Sequence, residues 1–246
     1  MPDASADITS CPILHRDRFI VIVNKPAGVL SHPNSFRSDP KIRCAFEGRY
    51  DLDQRCFEGP AGKVWLIHRL DQDTSGVLLA ALDERSADQC RAFFEQGSVR
   101  KHYSALVRGS LPPQEIWLDH LVTNRAAGRV RTTVLKGRPP NAELHMEVQS
   151  HHAQQRVSWI DIDLITGRTH QIRVQAATRQ HPLVGDDVYG DFDMNRRLRQ
   201  QFGIKRLCLH ARQLELKHPA SGNKLSVQAP LPDDLRGLWK SLGFSA

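Results

Sequence analysis

The stretch that most limits how this chain can fold is His68-Arg69-Leu70-Asp71-Gln72-Asp73-Thr74-Ser75-Gly76, a polar turn between the apolar runs Val64-Trp65-Leu66-Ile67 and Val77-Leu78-Leu79-Ala80-Ala81-Leu82. Both runs are short, apolar and uninterrupted by charge, so they read as buried strands. Burying them sets Asp71 at the mouth of the core, rigid and only partly solvated. In such surroundings an aspartate can serve as nucleophile or base. The competing reading is a solvated polar loop.

Spacing separates three chemistries for this turn. Asp71, Asp73, Ser75 and Gly76 match positions one, three, five and six of a calcium loop, but Leu82 stands at the twelfth, where a bidentate Glu is required. A serine hydrolase on Ser75 would need a Gly-x-Ser-x-Gly elbow, which is lacking. The third is an aspartate nucleophile, served by an arginine that keeps it ionised and a ring that holds a planar substrate.

His68-Arg69-Leu70-Asp71 followed by Thr74-Ser75-Gly76 resembles the catalytic motif of the RluA-type RNA pseudouridine synthases. Further pieces follow the family's order: Asn24-Lys25-Pro26-Ala27-Gly28, Lys101 to Val107, Thr166-Gly167-Arg168-Thr169-His170-Gln171-Ile172-Arg173, His181 to Asp186, and Leu209-His210-Ala211. Together they span roughly residues 14 to 230. One departure is Gln175, where the family usually has a His, a change at a side chain expected to touch RNA. The Tyr189-Gly190-Asp191 to Leu209-His210-Ala211 segment leans toward the tRNA-modifying branch. Only a polar extension, residues 1–12, precedes the expected single catalytic domain at 13–246, with no basic N-terminal RNA module.

The resemblance implies an α+β fold, a pseudouridine-synthase-like catalytic domain whose central mixed, mostly antiparallel β-sheet is flanked by helices and loops. It implies conversion of a uridine in an rRNA or tRNA stem-loop to pseudouridine, with no organic cofactor and no metal. Asp71 becomes the catalytic nucleophile or base, and Arg173 its partner, since a neighbouring cation lowers a carboxylate pKa by about one to three units. Tyr103 is to stack on the extracted uracil. Arg69 is to occupy the vacated stack. Ile172 packs on the pocket wall, and Arg168, His68 and Lys25 join the substrate-binding set. Two rivals stand beside this reading: a non-catalytic RNA-binding domain, and a glycoside or nucleoside hydrolase using Asp71 with Asp73 or Asp186 with Asp187.

The net charge of +7 suits a polyanion partner, and its clustering narrows the surface. Arg125, Arg129, Arg131, Lys136 and Arg138 fall in an acid-free stretch, and Arg196, Arg197, Arg199, Lys205 and Arg206 form a second group. These are the candidate contacts to the RNA backbone. Five cysteines without Cys-x-x-Cys spacing suggest neither a disulfide framework nor zinc, and a reducing cytoplasm fits. His151-His152 reads as a turn between strands. No run approaches the roughly 18 apolar residues of a membrane span. A monomer is expected.

Local patterns complete the expectation. Phe19 to Val23 reads as a strand, residues 31–62 as an irregular excursion, and Asp83 as the cap of a three-turn helix closed by Gly97. Strands are expected at Lys101 to Val107, Ile116 to Val122, Arg129 to Leu135, Glu143 to Val148 and Val157 to Leu164. Thr169 is the expected N-cap of a helix through Ala177. Residues 207–228 form a hairpin, and Leu235, Leu238, Trp239 and Leu242 mark a helical core stripe.

Overall fold

The computed structural model describes residues 8–33, 43–126 and 129–244, with the side chains of 125–129 outside the described part. The chain divides into two compact units, Met1–Val99 with Ala211–Pro230, and Arg100–His210 with Leu231–Ala246.

The first unit opens with β1 (Ile13–Arg16) and β2 (Ile20–Lys25), followed by β3 (Arg49–Asp51), β4 (Cys56–Gly59), β5 (Gly62–Leu66) and β6 (Ser75–Ala81). Helix α1 (Glu84–Glu95) follows. β2 pairs antiparallel with β1 and with β6, where Lys25 lies opposite Gly76. Asp83 caps α1, accepting from the backbone N–H and the hydroxyl of Ser86. The core gathers Ile20, Ile22, Val77, Leu79, Ala87 and Cys90. The excursion expected over 31–62 instead holds β3 and β4 and leads into β5, all paired antiparallel. Tyr50 packs on Phe57 and stacks on His32, while Asp51 accepts from the N–H groups of Asp53 and Gln54 to close the turn. Strands this short carry no periodicity, and the cross-strand ring pair Tyr50–Phe57 that joins them has no signal in spacing.

The second unit begins with β7 (Arg100–Arg108), β8 (Gln114–Asp119), β9 (Leu121–Ala126), β10 (Arg129–Val134), β11 (Ala142–His152) and β12 (Val157–Leu164). Helices α2 (Gln171–Thr178) and α3 (Phe192–Phe202) follow. The order β7-β12-β11-β8 is antiparallel throughout, and β9 with β10 makes a separate two-stranded sheet. The expected single strand 116–122 is therefore two, broken at His120. His151 and His152 belong to β11, opposite Ser158 and Val157, and the turn comes after them. α3, absent from the sequence reading, is capped by Asp191 and closed by Gly203 in the left-handed conformation.

β13 (Leu209–Lys217) starts in the second unit and continues into the first from Ala211. There β14 (Lys224–Gln228) pairs with it antiparallel, giving the expected hairpin. α4 (Asp233–Ser241) returns to the second unit. Its Leu235, Leu238 and Trp239 pack with Met194 and Leu198, so the stripe is core. The expected α+β class and the mostly antiparallel pairing both hold.

α2 departs from expectation at its start. Its N-cap is His170, in the left-handed conformation with φ 55°, and not Thr169. His170 makes no side-chain cap hydrogen bond; Gln171 Oε1 instead accepts from Arg168 N at 3.0 Å and from Thr166 Oγ1 at 2.8 Å, fixing the segment that leads into the helix. Gln175 corrects another expectation. It is fully buried, and its Nε2 donates to Trp117 O and Asp119 Oδ2 at 3.1 and 2.8 Å, so the side chain anchors α2 to β8 and faces no RNA.

Candidate active site

In the first unit, hydrogen bonds clamp the turn that carries Asp71 from below. Lys25 ends β2 with no exposed surface, and its ammonium donates to the carbonyls of Pro26, Val29 and Gln72 at 3.0, 2.7 and 2.9 Å. Gly28 N donates to the same Gln72 carbonyl at 2.9 Å. Ser31 Oγ accepts from Leu70 N at 3.0 Å and donates to Leu70 O at 2.8 Å. The bonds to Leu70 and Gln72 bracket Asp71 on both sides in sequence. Asp71 itself is half-buried, and its carbonyl closes the turn by accepting from Thr74 N. The far end is held by Gly76, whose φ is +119° and where an added Cβ would come within 2.1 Å of Ala211 O. Two motifs remote in sequence thus converge on the Asp71 segment.

The neighbours of Asp71 divide by environment. His68 Nε2 accepts from Leu79 N at 3.0 Å while its ring stacks on Phe94, which gives it packing work. Arg69 is exposed, with Nη1 2.8 Å from His32 Nε2.

The second unit holds the other expected residues. Tyr103 lies opposite Ile162 in the β7–β12 pairing and is 8% exposed. Ile172 is buried, and the exposed Arg168 donates from Nε to Asn141 O at 3.0 Å. Arg173 reveals a partner that the sequence reading lacks. Its Nε and Nη2 fork onto Asp186 Oδ2 and Oδ1 at 2.7 and 2.9 Å, both side chains being nearly fully buried. Asp186 Oδ1 also accepts from Val188 N and Tyr189 N. Burial pushes the Asp186 pKa up, but the Arg173 fork and the two N–H groups outweigh it and leave it below the usual carboxylate value. An enclosed Asp186 whose oxygens are engaged by the Arg173 fork and two backbone N–H groups is unsuited to the hydrolytic pair considered above. The Nη1 edge of Arg173 is not used by this fork. Asp186 and Tyr189 sit next to or inside motifs that the sequence already flags, yet nothing in their spacing names Arg173 as their partner.

Of the basic candidates, Arg131, Lys136 and Arg138 are exposed, while the side chains of Arg125 and Arg129 lie outside the described residues. Arg196 pairs with Asp193, and Arg197 donates to Gln155 O at 3.0 Å.

A family model for RNA pseudouridylate synthase matches residues 19–178, well over half of the chain. This chain belongs to that family. Its members are isomerases that act on RNA, and the enzyme fits among them over nearly its full length. It is 34% identical over 233 residues to the tRNA pseudouridine synthase C of Salmonella typhimurium, covering 90% of this chain and 85% of that protein. It is 36% identical over 246 residues to the ribosomal large subunit pseudouridine synthase C of Yersinia pestis, covering 95% of this chain and 69% of that one. The solved structure of human RNA Pseudouridylate Synthase Domain Containing 4 shares the fold, with a TM-score of 0.69 at 23% identity and coverage of 95% and 94%.

Proposed function

We propose that this pseudouridine synthase isomerises one uridine in a structured tRNA or rRNA stem-loop, with Asp71 as nucleophile or base. The observation that carries the role of Asp71 is the clamp on its turn: Lys25, Gly28 and Ser31 hold the residues on either side of it. A nucleophile has to be placed to within a fraction of an ångström, and rigid support of its backbone supplies that. In this reading Arg173 balances Asp71, Tyr103 stacks on the uracil, and Arg69 replaces the base in its stack. Arg168 and Ile172 line the pocket, while Lys25 and His68 serve by supporting the turn. The domain is a single catalytic one over 13–246 behind a polar extension at 1–12, working as a cytoplasmic monomer without metal or cofactor.

Relatives that act on tRNA and on rRNA match at similar identity, so both RNAs enter the test. Tritium release from [5-³H]uridine-labelled RNA measures the reaction, and carbodiimide mapping in cells with and without the gene locates the uridine. Asp71→Asn keeps the shape and removes the charge, so turnover is expected to stop while RNA binding stays within a few-fold. Full turnover by Asp71→Asn would remove Asp71 from the chemistry, and free uracil as product would mark a hydrolase.

A further inference from the structure

Tyr189 joins three elements of the second unit. Its hydroxyl accepts from Thr132 N on β10 at 2.9 Å and lies 2.8 Å from Nδ1 of His170, the left-handed residue that starts α2. A phenol has two acceptor sites and one proton, enough for both bonds. Its ring has the guanidinium of Arg173 at 5.2 Å and that of Arg131 at 5.9 Å. Both distances lie within cation–π range. Its backbone N–H donates to Asp186, the partner of Arg173. Thr132 is 1% exposed, and Val134 and Tyr189 pack on the cluster of Leu121, Ala142 and Val174. The separate β9–β10 hairpin, whose strands include Arg125, Arg129 and Arg131, is therefore mounted through Tyr189 on the helix that carries Arg173.

We propose that Tyr189 is a positioning residue that couples the β9–β10 hairpin to Arg173, so that RNA held by the hairpin sets the guanidinium for reaction. This rests on the assignment of Arg173 to the reaction made above. The ring orients the guanidinium, and the hydroxyl ties the hairpin and His170 to it. Because the two functions sit on different atoms, two substitutions separate them.

The test uses the full chain and [5-³H]uridine-labelled total RNA from cells lacking the protein, with rates normalised to the folded fraction from circular dichroism. Tyr189→Phe keeps the ring and is expected to raise KM about five-fold with kcat nearly unchanged, as loss of one hydrogen bond in the hairpin mount would. Tyr189→Leu is expected to lower kcat about ten-fold or more through a misplaced guanidinium. Wild-type KM in Tyr189→Phe overturns the tie, and wild-type kcat in a folded Tyr189→Leu overturns the orienting role. If the Leu variant does not fold, KM of the Phe variant decides. Arg173→Met run alongside distinguishes the two readings. An inactive Arg173→Met with wild-type kinetics in both Tyr189 variants sinks this proposal alone, whereas an active Arg173→Met sinks the assignment of Arg173 and this proposal with it.

Discussion

The ammonium of Lys25 lies 2.9 Å from the carbonyl oxygen of Gln72, the residue after Asp71. A lysine with no exposed surface is costly unless its donors are satisfied, and here three carbonyls satisfy them. The charge thus acts as a pin through the loop after β2 and the loop before β6.

Lys25→Met keeps the stem and removes the pin. Each buried carbonyl deprived of its donor costs about 1–3 kcal/mol. In a chain of this size 1 kcal/mol moves the melting temperature by about 2–4 °C. A fall of about 5 °C or more is expected by calorimetry, together with reduced kcat in the folded fraction. Unchanged melting with unchanged kcat would show that the pin is dispensable.

Arg173 has a structural bond to Asp186 as well as its proposed chemistry, so a single substitution mixes the two. Arg173→Met leaves Asp186 a buried charge without its guanidinium, a loss of about 3–5 kcal/mol, besides abolishing turnover. Asp186→Asn keeps an acceptor for Arg173 and removes the charge. It is expected to destabilise the protein while retaining measurable tritium release. Complete inactivity of a folded Asp186→Asn would give Asp186 a larger share in the reaction than support of Arg173.

What the sequence showed and what it hid follow from the range of the forces involved. The Asp83 cap, the hairpin at 207–228 and the stripe of α4 are local patterns, and they appear where expected. Asp191 and Gly203 bracket α3 with equally local signals, a side-chain cap at one end and a left-handed glycine at the other. The left-handed His170 and the burial of Gln175 depend on partners remote in sequence, namely Tyr189 and Trp117, while β3 and β4 pair locally but are too short to show a period. The burial of Lys25 has no local signal either, since lysine is ordinarily a surface residue, whereas a ring of carbonyls takes it into the interior. Asp71 stood out because its flanks are apolar on both sides.

Asp17 offers a test of acid stability. Its Oδ1 accepts from Phe19 N and Ile20 N at 2.7 and 2.9 Å, and its Oδ2 meets His15 and His218 at 3.0 and 2.8 Å. Burial pushes the pKa up, but these partners outweigh it and lower it to about 2. The unfolded chain has the ordinary value near about 4, so it takes up the proton first as pH falls. The stabilisation is complete above about pH 4 and lost as pH drops toward about 2. Melting curves of Asp17→Asn and wild type should differ at pH 6 and converge near pH 2. A gap that stays constant over that range would mean that the carboxylate charge contributes nothing.

The basic hairpin makes a prediction about affinity as distinct from chemistry. If base contacts are confined to one extracted uridine and its neighbours, most binding energy has to come from phosphates, which position the RNA without reading its sequence. Each phosphate contact adds about 0.7 to 0.9 to the slope of log affinity against log salt. Replacing Arg129 and Arg131 together with Ala should flatten that slope by about 1.4 to 1.8 and weaken tRNA and rRNA alike, leaving the modified uridine the same. The guanidinium of Arg131 also stands over Tyr189, so the double variant is expected to lower kcat modestly as well. That loss would not depend on salt, and titrating salt separates it from the phosphate contribution. An unchanged slope would show a hairpin that is merely solvated. A changed target uridine would show that it reads RNA shape directly.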